Sequence, residues 1–247
     1  MTILFLPFTA LARDEVTAKL CRQISRLIGS EVERAAEQHD MRSKFLSSRG
    51  SSADGSPGLV ATLELPSPSD LETTARMYGA DLVISGKFGL GERNLVLEAR
   101  LFDTPKRREV FAKRFETYPS YYFDAIEEIK IRIVQTLGIS LTDEERVVLL
   151  QRSTESWQAL LYYLLAEDDR YALSLGIAPI NPQGTLDLFR EALTIDPEFT
   201  LALQSLQHFI LLLIEQERVD LPALYTMLRE YQEILPGEFQ SALQELY

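Results

Sequence analysis

The chain has 247 residues, of which 46% are hydrophobic and 25% are charged, and this composition is typical of a folded soluble protein. Its formal net charge of −12 disfavours nucleic acid as a partner, because phosphate binding needs an excess of Lys and Arg on one face. The single cysteine, Cys21, excludes an internal disulfide and fits a reducing compartment.

The N-terminal part alternates between strand and helix patterns. Thr2–Phe8 (TILFLPF) predicts a buried strand rather than a signal peptide, because it is short, contains Pro7 and lacks a basic leader. Asp14–Gln38 carries apolar residues at helical spacing. Ser47–Gly58 has many turn-forming residues and no apolar period, so it predicts a flexible loop, and Leu59–Leu65 predicts a strand.

A short helix is expected next, capped by Ser69 or Asp70 and ended by Gly79. Asp81–Leu90 and Asn94–Asp103 then read as the two strands of a hairpin.

Val110–Glu116 alternates as a further strand, and Tyr121–Leu137 is an amphipathic helix ended by Gly138. The order β-α-β-α-β-β-β-α predicts an α+β domain with one mixed sheet covered by helices.

From Ser140 onward the apolar period is that of helices, beginning with Leu141–Arg152. We therefore expect an α+β domain over residues 1–139 and an all-α domain over residues 140–247. In the second domain Thr185–Pro197 and Tyr231–Pro236 both close an amphipathic segment with proline, which favours stacked helix pairs.

The residues that could carry chemistry are sparse. Cys21 lies on a helix rich in core positions, which predicts a buried small hydrophobe, and nothing places it near His39 or His208. Adjacent acids such as Asp168-Asp169 predict solvated helix surface, and no His or Cys residues stand at metal-ligand spacing. The glycines of Gly86–Gly91 predict turn residues rather than a phosphate loop, because a strand and not a helix follows them. We expect no catalytic residue, no cofactor and no metal.

Two surface features remain. Lys106-Arg107-Arg108 is a basic hairpin tip, expected to be solvated turn charge, with a contact for an acidic partner or an RNA backbone as the alternative. Tyr118–Phe123 is expected to pack where a strand meets a helix, with a contact patch as the alternative.

The first domain resembles the TolB N-terminal-like domain found ahead of tetratricopeptide arrays. The resemblance rests on ILFLPF at the start, GADLVISGKF, a strand ending in LFD, and LGISLTDEER, and it covers roughly residues 3–145. It implies an α+β fold that accompanies helical repeats.

The second domain resembles tetratricopeptide repeats. Trp157, Leu160 and Leu164 match the first box of that motif, and Thr185–Pro197 matches the second. A second unit begins near Leu201, and its period is longer than the family's roughly 34 residues. An insertion around Asp168–Pro182 lengthens the first unit, and Glu238–Tyr247 is expected to cap the array.

In such arrays the first helix of each pair lines a groove, and this resemblance implies six partner-facing residues here. They are Glu155, Gln158 and Tyr162 in the first unit, and Leu201, Gln204 and His208 in the second. Gln158 corresponds to Gln204 and Tyr162 to His208, and ordinary polar helix surface is the alternative interpretation.

The sequence therefore predicts a cytoplasmic, non-enzymatic interaction protein of bacterial type that binds a protein or peptide partner or a second copy of itself, without membrane insertion. The alternatives are an envelope-associated assembly factor and the sensor part of a larger signalling enzyme, such as a nucleotide cyclase or a kinase.

Overall fold

The computed structural model describes residues 2–12, 14–39, 41–45, 66–91, 94–176, 180–216 and 221–229. These form two compact units, Met1–Arg152 and Ser153–Tyr247. The predicted loop Ser47–Gly58, the predicted strand Leu59–Leu65, and the predicted repeat end Tyr231–Pro236 and cap Glu238–Tyr247 lie outside the described residues.

Within the described part of the first unit, six strands form one mixed sheet. They are β1 Thr2–Phe5, β2 Thr9–Ala10, β3 Arg42–Phe45, β4 Leu82–Leu90, β5 Leu95–Asp103 and β6 Arg108–Thr117. The order is β3-β1-β4-β5-β6, with β2 also paired to β4. β1 is parallel to β3 and β4, whereas β4, β5 and β6 are antiparallel neighbours. The mixed sheet and the predicted hairpin are confirmed.

The described residues of this unit also form four α-helices: α1 Glu15–Ala35, α2 Pro68–Tyr78, α3 Tyr122–Thr136 and α4 Asp143–Leu150. The second unit contains α5 Trp157–Ser174, α6 Pro182–Ile195, α7 Thr200–Glu215 and α8 Leu221–Arg229. The sequence placed the domain boundary after Ile139, whereas the compact units divide after Arg152, so α4 belongs to the first unit.

Helix α4 belongs there because its contacts lead back into the α+β unit. Leu149 is buried, and Arg152, just after the helix, donates to Glu127 Oε1 at 2.8 Å and to Asp124 Oδ1 at 3.0 Å at the start of α3. The Arg152 guanidinium also lies 5.1 Å from the centre of the Phe123 ring. These three contacts are long-range in sequence, so helical periodicity alone could not reveal them.

The cap of α2 corrects one prediction. Ser67, not Ser69 or Asp70, is the N-cap, and it forms a capping box with Asp70 while Pro68 occupies the first helical turn. Proline suits that position because its missing N–H would have no helical partner there. Gly79 ends the helix at φ +60°, as predicted.

The glycines of β4 correct a second prediction, that they are turn residues. Gly86 and Gly89 lie within the strand, not in a turn. A Cβ atom on Gly86 would lie 2.0 Å from the Glu98 carbonyl oxygen of β5, so the close approach of the two strands requires glycine there.

Strand β3 was not predicted. Its residues, RSKF, are mostly polar and alternate between exposed and half-buried, so they lack the apolar pattern of a core strand. Pairing with β1 places Phe45 5.4 Å from the Phe5 ring, and this tertiary contact completes the edge of the sheet.

A buried ion pair joins α1 to α3. Lys130 Nζ lies 3.1 Å from Glu31 Oε2, and the two side chains are 3% and 9% exposed. Burial raises the pKa of Glu31, and the charge of Lys130 opposes that rise. The pair therefore fixes the relation of the two helices on one face of the sheet.

Candidate functional site

Contacts near both ends of α5 and α7 show the relative direction of these two helices. The Tyr163 and Phe199 rings lie 5.0 Å apart near the N-terminal ends of α5 and α7. Near the opposite ends, Gln216 Nε2 donates to the Leu173 carbonyl oxygen at 2.9 Å. The helices α5 and α7 are therefore parallel neighbours.

Helix α6 runs back between them. Thr185, near its start, donates to Asp169 near the end of α5 at 3.2 Å, and Phe189 lies 6.0 Å from the Phe209 ring of α7. The consecutive helices α5 and α6 thus form an antiparallel hairpin.

Asp196 holds the turn between α6 and α7. It accepts hydrogen bonds from the Thr154 hydroxyl, just before α5, and from the Glu198 backbone N–H at 3.1 Å. The Thr154 hydroxyl also accepts a hydrogen bond from the Ser156 N–H, and Ser156 caps α5. Asp196 therefore holds the start of α5 close to the start of α7.

A surface strip of four polar residues and one leucine runs along the border between α5 and α7. It consists of Glu167 and Arg170 of α5 with Gln204, His208 and Leu211 of α7, and we call it the α5–α7 strip. Gln204, His208 and Leu211 are exposed and recur at helical spacing on one face of α7. Leu211 is 49% exposed, which is high for a large apolar side chain.

Arg170 connects the two helices of the strip. It donates to Glu167 through two nitrogens, with Nε 2.7 Å from Oε2, and its Nη1 lies 3.0 Å from His208 Nδ1. The hydrogen bonds that Arg170 donates to the Glu167 carboxylate raise the pKa of Arg170, so the guanidinium stays charged. Both side chains of the ion pair are 15% exposed.

The tautomer of His208 follows from this contact. A guanidinium can only donate, so Nδ1 of the neutral ring accepts and Nε2 carries the proton. The outer edge of the ring therefore offers one N–H donor. In a Ser-His-Asp triad a carboxylate would accept from Nδ1–H, so the geometry here differs from that of a catalytic histidine.

The six predicted partner-facing residues lie at different levels along the helices. Glu155 and Gln158 are exposed at the N-terminal end of α5, and Tyr162 is half-buried one turn later. On α7, Leu201 is half-buried, and Gln204 and His208 are exposed. The structure gathers Gln204 and His208 on one strip with Arg170.

The contact between α5 and α7 joins residues that the repeat motif does not pair. The motif gives Tyr162 and His208 equivalent positions in their units, whereas His208 contacts Arg170, which lies two turns or roughly 12 Å beyond Tyr162 along α5. Sequence reasoning missed Glu167 and Arg170. Their i,i+3 spacing on one helix was the available signal for an ion pair.

Other candidate residues have structural roles. Cys21 is 2% exposed and burial raises its pKa to about 12, which confirms the predicted small hydrophobe. His39 lies 3.4 Å from Glu145, the acid of the capping box of α4. Asp168 is 2% exposed, so the prediction of solvated surface is wrong at that position.

The structure also shows the surroundings of the basic tip and of the aromatic segment Tyr118–Phe123 in the first unit. Arg107 of the basic tip has φ +52° and pairs with Glu72 of α2, while Lys106 pairs with Asp103. The basic tip is therefore engaged in ion pairs with its own chain. Two tyrosines of the aromatic segment, Tyr118 and Tyr121, are 65% and 56% exposed, and Tyr122 and Phe123 pack inside.

Over the described residues, no group of three or more His, Cys, Asp or Glu is arranged to hold a metal ion. In the same part of the chain, none of the helices combines the length and the apolar character needed to cross a membrane.

Comparison with known proteins gives weak structural similarities. No protein-family model matches the chain, and no curated protein matches it. TolB from Acinetobacter baumannii is similar at a TM-score of 0.37 and 15% identity over 57% of this chain, which spans 29% of the length of that TolB chain.

Two smaller structures are also similar. The lipoprotein GNA1162 from Neisseria meningitidis has a TM-score of 0.29 and 17% identity, covering 57% of this chain and 99% of its own. The LpoB C-terminal domain from Salmonella enterica has a TM-score of 0.27 and 13% identity, covering 47% of this chain and 82% of its own. All three TM-scores lie below 0.5 and all three identities below 25%, so these similarities assign neither a family nor a role to this chain.

Proposed function

We propose that this chain is a non-enzymatic interaction protein that binds a segment of a protein partner along the α5–α7 strip, in the manner of a tetratricopeptide-like groove. The observation that carries the proposal is the Arg170–His208 contact. It links two parallel helices, and His208, whose Nε2–H remains as a donor, is exposed on the same face of α7 as Gln204 and Leu211.

The spacing of the polar groups suits an extended peptide. Gln204 and His208 are one turn apart, about 6 Å along α7. Two residues of an extended chain span about 6.6 Å, so successive carbonyl groups on one side of a bound segment would meet the Gln204 amide and the His208 N–H. Leu211 would then contact an apolar side chain of the same segment.

The first unit serves in this proposal as the domain that presents the helical unit, and neither unit needs a cofactor or a metal. We place the protein in the cytoplasm. Fractionation of cells that express the native gene, followed by detection of the chain in the soluble and envelope fractions, tests that location.

Site-specific photo-crosslinking tests the binding surface. A photoreactive amino acid at Gln204 should crosslink a partner in cells, whereas the same group at Glu191, exposed on α6, should not. Mass spectrometry identifies the partner, and the purified partner is then titrated against the purified chain.

Two double variants compare the α5–α7 strip with the N-terminal end of α5 as binding surfaces. Gln204→Ala with His208→Ala should abolish binding of the purified partner, and Gln158→Ala with Tyr162→Ala should weaken it less if the strip is the centre of the interface. Equal crosslinking from Glu191, or unchanged affinity in both double variants, would move the interface elsewhere.

A further inference from the structure

A cleft lies between α3 and α4 of the first unit, away from the residues of the α5–α7 strip in sequence. Its volume is about 150 Å³. Its lining residues are Ile131, Val134, Gln135, Leu141, Arg146 and Leu149. Four of these side chains are aliphatic, and the two polar ones, Gln135 and Arg146, are exposed.

The volume limits what the cleft can hold. An apolar cavity of about 150 Å³ accommodates a benzene-sized group, whereas pockets for whole small molecules usually measure about 300–1,000 Å³. Val134 and Leu149 are 5% and 2% exposed, so the walls are well packed. The cleft therefore fits one apolar side chain, such as Leu or Phe, as an anchor.

The polar groups beside the cleft are hydrogen-bond donors. Gln135 Oε1 accepts from Arg132 Nη1 at 3.3 Å, which leaves the Gln135 amide N–H₂ to donate to a ligand. Arg146 adds an exposed guanidinium. The nearby Glu145 carboxylate instead accepts from the Thr142 N–H at 2.8 Å and lies 3.4 Å from His39.

We propose that this cleft binds the C-terminal residue of a partner polypeptide. A C-terminal residue carries its side chain and its carboxylate on the same Cα atom, as the cleft requires. The apolar side chain enters between α3 and α4, and the carboxylate accepts hydrogen bonds from Arg146 and Gln135. Arginine suits this role because its planar guanidinium can hold a carboxylate through two bonds.

This site is independent of the proposed function, because it lies in the other unit and uses different residues. A chain with an inactive α5–α7 strip should still bind at the cleft. The double variant Gln204→Ala, His208→Ala therefore separates failure of one proposal from failure of the other.

Three short peptides provide the probes for the full chain. They are acetyl-Gly-Ser-Gly-Leu with a free carboxylate, the same peptide as a C-terminal amide, and acetyl-Gly-Ser-Gly-Ser with a free carboxylate. NMR titration should show that the first shifts the side-chain signals of Gln135, Ile131 and Leu141. The amide should bind at least about ten-fold more weakly, because hydrogen bonds to a charged group are the strong ones.

Two matched variants complete the test. Arg146→Gln should weaken binding of the carboxylate peptide by about ten-fold or more, because it removes the charged guanidinium and leaves a shorter, neutral polar side chain. Arg42→Gln makes the same charge change at an exposed residue of β3 and should leave binding unchanged.

Several outcomes would overturn the proposal. Equal binding of the acid and amide peptides would remove the role of the carboxylate, and full binding by the Arg146→Gln variant would remove the role of the arginine. Shifts caused equally by hexanoate would assign the cleft to a free carboxylic acid instead. No shift with any peptide at millimolar concentration would show that the cleft binds no C-terminal residue.

Discussion

The two units treat their charged residues differently. In the first unit Lys130 and Glu31 form an ion pair that is almost entirely buried between α1 and α3. In the second unit Glu167 and Arg170 form a pair that stays partly exposed and extends to His208. A buried pair fixes a packing arrangement, whereas a partly exposed one leaves hydrogen-bonding groups available to a partner.

The same contrast appears in the backbone. The first unit depends on a sheet in which Gly86 brings β4 against β5, and on capping boxes at α2 and α4. The described part of the second unit is helical, and its turn is held by Asp196. Four predictions test whether substitutions in the first unit lower the free energy of unfolding more than substitutions in the second.

The largest effect is expected from Lys130→Ala. This change leaves the Glu31 carboxylate buried without its cation, so the free energy of unfolding should fall by about 3–5 kcal/mol at pH 7. Burial already raises the pKa of Glu31, so its folded form takes up a proton more readily than the unfolded form, and the loss should be smaller at pH 5. Denaturant unfolding followed by circular dichroism measures both.

The double variant Glu31→Leu, Lys130→Met is the control for that prediction, because an apolar pair of similar volume avoids the desolvation of two charges. It should lie within about 1 kcal/mol of the natural protein, since replacing a buried ion pair by apolar residues is often neutral. A single variant as stable as the double variant would show that the pair does not hold α1 against α3.

The next largest effect is expected from Gly86→Ala. The added Cβ would lie 2.0 Å from the Glu98 carbonyl oxygen, so β4 and β5 must separate, with a loss of about 2–3 kcal/mol. The matched change in the second unit is Gly184→Ala, in the first turn of α6, where the nearest atom is the side-chain Nδ2 of the N-cap Asn181 and no backbone of a neighbouring element has to move. Hydrogen exchange should show faster opening of the sheet only for Gly86→Ala, and equal effects would erase the difference between the units.

A smaller, pH-dependent effect is expected from Asp14→Ala at the N-terminus of α1. The Thr17 backbone N–H and then the Thr17 hydroxyl lower the pKa of Asp14 from its ordinary value of 3.8. The carboxylate therefore stabilises the fold at neutral pH, and this stability is lost as the pH falls below about 4. The variant should lose about 1 kcal/mol at pH 7 and progressively less in acid, as measured by unfolding over a pH series.

If the difference between Asp14→Ala and the natural protein stayed constant down to pH 2, the ionised form of Asp14 would not be the stabilising one. Asp14→Asn is the control, because asparagine caps helices about as well as aspartate but does not titrate in this range.

The smallest effect on stability is expected from Arg170→Gln. An i,i+3 ion pair on a partly exposed helix face contributes about 0.5–1 kcal/mol, so thermal unfolding should change little. The side-chain NMR signals of His208 should nevertheless shift, because Nδ1 loses its donor. A loss as large as that of Lys130→Ala would make Arg170 a packing residue like its counterpart in the first unit.

Patterns within short segments were sufficient to predict many of the elements. Alternation predicted the hairpin of β4 and β5, and helical spacing predicted α1 and α3, because the residues that define each element are neighbours in the chain. The burial of Cys21 was predictable for the same reason, since its place on the apolar face of α1 is a local property.

Only the tertiary structure decided how these elements meet. Strand β3 pairs with β1 although its sequence is polar, and the contacts of Arg152 place α4 with the first unit. The packing of α7 against α5 brings His208 to Arg170, a residue that the sequence did not single out. Each of these outcomes depends on contacts between residues far apart in the chain. Periodicity shows which face of a helix or strand is buried, but it does not show which element packs against that face or in what register.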